Sequence, residues 1–536
     1  MMARITFPLA HDNGLGIGGV PRGRVRLLNS GPMRPEGAYV LYWMTATRRL
    51  AWNFALQRAV GWAVEFHRPL VVVEVLGCGG RWDTGRHHRF VLQGMADNAQ
   101  QALGKPLLYY PYVEPKPGEA LRLLAGLAPQ ACMIVTDEYP ILLSSMIGGA
   151  SGRSRSSRNP AGPPTAETLP VRVEAIDSCG LLPIRLADQV FPTAFAFRRF
   201  LQRVIREQLL ESPGADPWAG VPLPVLQQLP EPIYQRWPPA SAALLKADPE
   251  AIRRLPIDQQ VPASALLGGR TAALERWKRF LSQKLADYSQ QRNHPDAEGT
   301  SGLSPYLHYG YISTHEIFFD IAQKEQWQPD RLASRPTGRR EGFWGLSQAA
   351  ETFLDQLVTW RELGFNFCAH RSDYDQYDSL PDWAKQTLAK HKKDPRPYRY
   401  SLHEFTEAKT HDPIWNAAQG QLAQEGQLHN YLRMLWGKKI LEWTASPEEA
   451  LDIMIELNNR FGLDGQDPNS YTGIFWILGR YDRPWGPERP IFGTIRYMSS
   501  ENTARKVRLR KYLARYGFQS NRQLWEGSST SSSDDG

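Results

Sequence analysis

The stretch LHNYLRMLWGKKILEW at Leu428–Trp443 decides the fold, read together with WNAAQ at Trp415–Gln419 and LDGQDPNSYTGIFWILGR at Leu463–Arg480. These stretches place four tryptophans among arginines, asparagines and glycines. Trp436 and Trp443 are seven residues apart, which on a helix is about two turns or roughly 10 Å, so both rings leave one side of the helix. A stripe of large aromatic side chains on one helix face is typical of a protein core.

Polar residues of unusual type interrupt this aromatic stripe. Asn430, Arg433, Asn458 and Asp464 lie among apolar residues, and a core that contains such groups must pair them or provide them with a ligand. The pattern therefore leaves both a core with paired polar groups and a ligand site open, and tryptophans beside such a site could also pass electrons.

The bulk composition indicates a folded, multidomain protein. Its 536 residues suffice for two or three domains, and 42% hydrophobic with 11% aromatic residues are typical of a globular chain. The net charge is +8, and the stretch from Arg483 to Arg515 alone holds nine Lys or Arg against two Glu, or +7. This cluster suits a polyanionic partner, although a solvated helix face is an alternative.

The four cysteines are far apart and fit no CxxC pattern, so we expect free thiols and no metal site. Nothing resembles a signal peptide, and no apolar run approaches eighteen residues. We therefore expect a cytoplasmic, intracellular protein with no membrane association.

The order of apolar patterns predicts an α/β part followed by an all-α part. After a loosely ordered segment at 1–37, apolar runs alternate with helical patterns over 38–190, which predicts a doubly wound parallel sheet. Within it, the Gly/Ser/Pro-rich segment 148–168 predicts a mobile loop. The remaining predicted parts are a connector at 191–270, a large helical domain at 271–515 and a disordered tail at 516–536.

Further motifs in the helical part carry a resemblance. TSGLSPYLHYGYIS at 300–313, RELGFNFC at 361–368 and EAKTHDPIWNAAQ at 407–419 join the stretches quoted above. Together they resemble the photolyase/cryptochrome family, and specifically the class II cyclobutane pyrimidine dimer (CPD) photolyases. The resemblance implies a flavoprotein with FAD in the helical domain and a light-driven carbon–carbon lyase activity on damaged DNA.

The resemblance also implies how FAD is held. TSGLS takes the place that grips the FAD phosphates, Arg433 and Asp464 match a salt bridge against the flavin ring, and Asn458 matches an asparagine that faces flavin N5. The implied cofactor-binding residues are Tyr288, Arg292, Thr300, Ser301, Gly302, Leu303, Ser304, Asn430, Arg433, Asn458 and Asp464.

A tryptophan triad for electron transfer follows from the same resemblance. Trp436 matches the ring nearest the flavin, Trp415 the middle ring and Trp443 the outer ring near solvent, and Tyr400 could extend the chain. Three ordinary core tryptophans are the alternative interpretation.

On the substrate side, a pyrimidine dimer must leave the duplex to be reached, and an extruded base needs flat apolar walls. Trp360 and Trp476 match the tryptophans that bracket the dimer, and Met434 faces the same region. Strand phosphates are assigned to the basic cluster, with Arg496, Arg505 and Lys506 as the candidate residues.

One position departs from the class II pattern. Gln356 stands where these enzymes usually carry a glutamate bonded to the carbonyl oxygens of the dimer. A glutamine can donate a hydrogen bond to a carbonyl, but it cannot lend a proton to a radical anion. Repair efficiency and lesion type are therefore open at this point.

Several functions are compatible with these motifs. The leading one is repair of a cyclobutane pyrimidine dimer by an electron from photoexcited reduced FAD, with an antenna pigment, a deazaflavin or a folate, as an addition. The alternatives are a cryptochrome-like blue-light sensor, a (6-4) photoproduct photolyase that uses His308 or His429 as an acid, and an ordinary nucleotide-binding protein. We expect damaged DNA as the partner and a monomer.

Overall fold

The computed structural model of the protein describes residues 16–141 and 165–517. Most of the predicted loop at 148–168 and nearly all of the predicted tail at 516–536 lie outside these residues. Within the described ranges, a sheet with flanking helices forms the first part of the chain and helices form the rest, which confirms the predicted fold class. None of these helices is long and apolar enough to cross a membrane.

The first part is built on a six-stranded sheet with the order β1-β6-β5-β2-β3-β4. Strands β2 to β6 are all parallel to one another, and β1 is antiparallel to β6. The strands are β1 (Val25–Leu27), β2 (Tyr39–Met44), β3 (Leu70–Leu76), β4 (Leu108–Val113), β5 (Ala131–Asp137) and β6 (Val173–Ile176).

Burial on both faces explains the parallel arrangement of these strands. Every residue of β2, β3 and β5 is buried, as expected for near-continuous apolar runs that helices cover on two sides. The covering helices are Phe54–Phe66, Gly85–Ala102 and Glu119–Leu127.

The expectation of loose order over 1–37 is wrong for its described end. Val25 pairs with Ile176 at the edge of the sheet, and the buried Arg24 donates to the carbonyl oxygens of Gly180 and Leu181. A three-residue strand gives almost no periodic signal in sequence, so only its partner strand reveals it.

The segment 191–270 contains four helices and is therefore more than a linker. They are Ala194–Gln208, Glu231–Arg236, Ala242–Leu245 and Pro249–Arg253. In the first of them Phe197, Leu201 and Ile205 recur at a spacing of four and are buried, which turns this helix into a packed wall of the helical part.

The helical patterns of the sequence predict helices at 271–291, 313–325, 349–369, 380–391, 413–425, 428–444, 447–461 and 499–514, and the structure confirms most of them. The predicted helices 271–291 and 499–514 are interrupted, whereas 349–369 stays helical throughout and contains a π-helical turn. The helix Pro468–Ile477 was not predicted, although Asp467 caps it and a proline occupies its first position, which is a common helix start. The observed elements are Arg270–Gln283, Tyr288–Gln291, Ser304–His308, Thr314–Lys324, Gln348–Leu354, Asp355–Trp360, Arg361–His370, Asp382–Lys390, Leu402–Thr406, Pro413–Glu425, Asn430–Trp443, Pro447–Phe461, Pro468–Ile477, Ser500–Lys506 and Arg510–Tyr516.

Candidate cofactor and nucleic-acid site

A large cavity opens in the helical part of the chain. Its volume is about 1430 Å³, which exceeds the roughly 300–1,000 Å³ typical of sites for drug-sized ligands. It brings together most of the residues that the sequence nominates. Those in its lining are Tyr288, Arg292, Thr300, Ser301, Gly302, Leu303, Ser304, Gln356, Trp360, Asn430, Arg433, Met434, Asp464, Trp476 and Arg496.

Other nominated residues lie behind or beside this cavity. Asn458 and the three tryptophans of the predicted triad are buried in the surrounding protein. Arg505 and Lys506 of the basic cluster are exposed outside the cavity.

The loop Thr300–Ser304 presents hydrogen-bond donors to the cavity. Within the described part of the chain, no protein acceptor takes the backbone N–H groups of Ser301, Gly302 and Ser304. Gly302 has φ 63°, and a Cβ at this position would lie 2.3 Å from Nη1 of Arg276. The positive φ therefore favours a glycine in this turn, and free N–H groups with hydroxyls suit a pair of phosphates.

An ion pair occupies a second wall of the cavity. Nη2 of Arg433 lies 3.1 and 3.2 Å from the two carboxylate oxygens of Asp464, so the pair that the resemblance implies is present. The other terminal nitrogen of Arg433 donates to Oδ1 of Asn458. The amide nitrogen of Asn458 donates to Asn459 and Ser470, so this amide is fully engaged behind Arg433. Its role towards flavin N5 stays a prediction.

The third wall is a π-helical turn, Asp355–Trp360, inserted between two α-helices. It exposes Gln356 and Trp360 to the cavity, while the buried Asp355 pairs with Arg198 at 2.8 Å. Single π-turns are frequent at functional sites because they change the direction in which side chains point. The sequence offers no signal for this turn, since all its residues suit an α-helix.

Two cationic side chains lie beside the ring of Trp476, the second tryptophan that lines the cavity. The ammonium of Lys438 lies 5.2 Å from the centroid of its ring and donates to the carbonyl oxygen of Ile477. Lys438 is completely buried, and this burial lowers its pKa to about 7. The guanidinium of Arg496 lies 5.5 Å from the same ring and pairs with Asp482 at 2.9 Å. Sequence reasoning missed Lys438, because a lysine within a helix is normally assigned to the solvent face.

The predicted tryptophan triad forms a connected path behind the cavity. Nε1 of Trp415 donates to the carbonyl oxygen of Trp436 at 2.9 Å, and the rings of Trp415 and Trp443 are 6.0 Å apart. The expectation that Trp443 lies near solvent is wrong, because it is 2% exposed. Its ring is covered by Tyr400 at 5.6 Å and His411 at 5.0 Å.

The path from Trp443 continues to the surface through these two side chains. The hydroxyl of Tyr400 is 2.7 Å from Nδ1 of His411, and His411 stacks at 3.8 Å on Tyr398, which is 49% exposed. His411 is exposed and Tyr400 is partly exposed, so a single ring beyond the triad already reaches solvent.

The basic cluster at Arg483–Arg515 does not form one continuous helix of unpaired charges. Its helix breaks after Lys506, and Arg515 is paired with Glu298 and Glu425. Of the three cluster residues predicted to bind strand phosphates, Arg496 lines the cavity, whereas Arg505 and Lys506 do not.

A second possible ligand position, at the sheet, is already filled. The strand order reverses between β2 and β5, where α/β sheets commonly bind ligands. There the carboxylate of Asp137 accepts hydrogen bonds from the backbone N–H groups of Thr45, Ala46 and Thr47 at 2.8 to 3.0 Å and from the Tyr42 hydroxyl at 2.7 Å. A side chain of the protein thus satisfies the donors that an anionic ligand would use.

Comparisons with known proteins agree on one family. The chain is 32% identical over 499 residues to the deoxyribodipyrimidine photo-lyase of Methanothermobacter thermautotrophicus, across 92% of this chain and 97% of the relative. It is 32% identical over 502 residues to the protein of the same name from Oryza sativa subsp. japonica, across 92% and 90%. No protein-family model matches the chain.

The fold has a counterpart among solved structures. A bacterial class III photolyase from Agrobacterium tumefaciens superimposes with a TM-score of 0.60 at 18% identity, across 90% of this chain and 86% of that one. At this identity the likeness concerns the fold alone.

Proposed function

This chain belongs to the photolyase/cryptochrome family, and from that premise we propose that it is a class II photolyase that uses FAD and light to split cyclobutane pyrimidine dimers in DNA. The enzyme is then a carbon–carbon lyase that catalyses no net redox change. Damaged DNA is its partner.

The observation that carries the proposal is the continuity of the cavity. One space of about 1430 Å³ joins the donor-rich loop Thr300–Ser304, the ion pair of Arg433 and the two tryptophans Trp360 and Trp476. A cofactor with phosphates at one end and a flat ring at the other matches the loop and the ion pair. The tryptophans are then left for a second flat ligand.

The hydrogen-bond donors of the cavity fit FAD, and they indicate which residues would hold its phosphates. Thr300 and Ser304 would add hydroxyls to the free backbone N–H groups of the loop, and Arg292, whose guanidinium lies 5.5 Å from the Tyr288 ring, would add a positive charge. When bound, reduced and excited by blue light, FAD supplies the electron that opens the cyclobutane ring.

The chain's own residues then bind and orient the lesion. Trp360 and Trp476 are each partly exposed to the cavity, so both can stack on an extruded base, which contributes on the order of 1–3 kcal/mol per base. The Gln356 amide has no hydrogen-bond partner among the described residues and can donate to a pyrimidine carbonyl. Because Gln356 carries no titratable proton, it orients the dimer without acting as an acid.

The histidines favour the cyclobutane dimer over the (6-4) photoproduct as the lesion. His308 is buried and bonded to Asp467 and Tyr139, which assigns it a structural role. His429 lines the cavity, but burial lowers its pKa to about 4, so it is neutral at pH 7 and a poor acid.

The path Trp436–Trp415–Trp443 is our proposed route for reducing the flavin from solution, with Tyr400 and His411 as its outer end. Its support is the Trp415 ring, which donates to the backbone carbonyl oxygen of Trp436 and contacts the Trp443 ring, and the ring contacts that lead from Trp443 to the exposed His411 and Tyr398.

The remaining parts of the proposal concern organisation. A deazaflavin or folate antenna would have to bind outside the crevice that Asp137 fills. We propose a division into an α/β domain at 38–190, a connector at 191–270 and a functional domain at 271–515. We also propose a monomeric state and an intracellular location.

The deciding experiment is illumination of the reduced, FAD-loaded protein with DNA that carries either defined cyclobutane dimers or (6-4) products. We expect blue light to restore the dimers and to leave the (6-4) products unchanged. Restoration of neither lesion by protein that binds FAD would refute repair and favour the blue-light sensor. Failure of the protein to bind FAD would refute the cofactor assignment itself.

A further inference from the structure

A basic loop that the sequence analysis did not single out borders the same cavity. It contains RPTGRREG at 335–342 and leads from helix Thr314–Lys324 to helix Gln348–Leu354. Arg339 and Arg340 of this loop are exposed and line the cavity, as Gln356 and Trp360 do. Two positive charges therefore stand at the rim on the side from which the π-turn begins.

Helix Ala194–Gln208 holds the backbone of this loop in place. The N–H of Gly338 donates to Oε1 of Gln202 at 2.7 Å, and Nε2 of Gln202 donates to the carbonyl oxygen of Arg339 at 2.9 Å. Nη1 of Arg198 donates to the carbonyl oxygen of Gly338 at 3.2 Å. Gly338 itself has φ 74°, and a Cβ there would lie 2.9 Å from the ring of Phe195. The backbone that carries the two arginines is thus fixed before any ligand arrives.

Three other cations of the cavity wall are already committed to ion pairs. Arg198, Arg433 and Arg496 each form an ion pair with an aspartate at 2.8 to 3.1 Å. By contrast, no side chain in the described part of the chain pairs with the guanidinium groups of Arg339 and Arg340. These two therefore keep their full charge for a ligand outside the protein.

We propose that Arg339 and Arg340 bind backbone phosphates of the DNA strand whose extruded bases enter between Trp360 and Trp476. This inference rests on the proposed function. Guanidinium groups match phosphate oxygens in geometry as well as charge, and the phosphates that flank an extruded base are the anions nearest the cavity mouth. Because phosphates carry no base identity, these contacts set affinity and position and are independent of sequence.

The test compares Arg339→Ala/Arg340→Ala with Arg335→Ala, an exposed arginine of the same loop that does not line the cavity. Binding of the FAD-loaded proteins to a duplex with one cyclobutane dimer is measured between 50 and 200 mM salt. We expect the slope of log K against log salt to become less steep by about 1 to 2 in the double variant, at about 0.9 per lost phosphate contact. We expect the Arg335→Ala slope and the flavin content of all three proteins to be unchanged.

Three results would overturn the inference. One is a wild-type slope in the double variant, and another is an equal change in Arg335→Ala. The third is loss of flavin with unchanged DNA affinity, which would assign the two arginines to the cofactor. In the first and third cases the proposed function survives if wild-type protein still repairs the dimer, whereas wild-type protein that neither binds nor repairs damaged DNA refutes both.

Discussion

Lys438→Met should make the protein more stable near neutral pH, although it removes a hydrogen bond. Burial lowers the pKa of Lys438 from 10.5 to about 7, while the charge of Asp482 opposes this shift and the charge of Arg496 adds to it. The unfolded chain therefore binds one more proton than the folded protein across most of the window between these two values. Since stability rises with pH wherever the unfolded state binds more protons, the free energy of unfolding of the wild type must rise through this window.

The size of the effect follows from the shift. At 1.36 kcal/mol per pKa unit, keeping this lysine buried costs about 4 kcal/mol at pH 7 and about 2 kcal/mol at pH 9. Methionine removes that cost but leaves the carbonyl of Ile477 unpaired, which costs about 1–3 kcal/mol. We therefore expect Lys438→Met to be more stable than the wild type at pH 7, and this advantage to shrink by about 2 kcal/mol by pH 9.

Denaturant unfolding at pH 7, 8 and 9, followed by tryptophan fluorescence, measures this change. The neighbouring Lys439→Met is the matched control, because Lys439 pairs with Glu442 at 2.8 Å and its pKa is raised. The stability due to this pair is present below the unfolded pKa and is lost only as pH rises through the higher folded pKa, so the control should show no pH-dependent advantage between pH 7 and 9. Parallel pH profiles of wild type and Lys438→Met would refute the assignment of a depressed pKa to Lys438.

Four further substitutions test other parts of the site. Trp436→Phe should slow photoreduction of bound oxidised FAD at least tenfold, measured by the bleaching of its absorption under blue light with reductant; an unaffected rate would remove this ring from the route. Gly302→Ala places a Cβ against Arg276 at positive φ and should reduce the flavin that copurifies at least tenfold, as read from the absorption spectrum. Arg198→Ala leaves the buried Asp355 carboxylate unpaired and should destabilise the protein by about 3–5 kcal/mol in denaturant unfolding, whereas an effect below 1 kcal/mol would contradict the buried pair. Gln356→Glu introduces an acid, so its repair yield should fall as pH rises through the new carboxyl pKa, while the wild-type yield has no such step.

The architecture followed from the sequence wherever one period of apolar residues dominated. Strands β2, β3 and β5 are buried on both faces, so their apolar runs, alternating with helical patterns, predicted a parallel sheet. Edge strand β1 and the helix Pro468–Ile477 were not predicted. Three residues carry no period in the first case, and the polar cap resembled a loop in the second. In the candidate site, the Thr300–Ser304 loop and the Arg433–Asp464 pair were predicted from the resemblance of their motifs to the family, and both lie at the cavity.

The tertiary structure alone decided which of these groups are free to act. A sequence cannot show that Arg496 is neutralised by Asp482 while Arg339 and Arg340 have no side-chain partner among the described residues, because pairing depends on how the chain folds. For the same reason it could not place Trp443 inside the protein and Lys438 beneath Trp476. Local sequence determines periodicity, turns and caps, whereas burial and charge pairing are properties of contacts that form only when distant segments pack together.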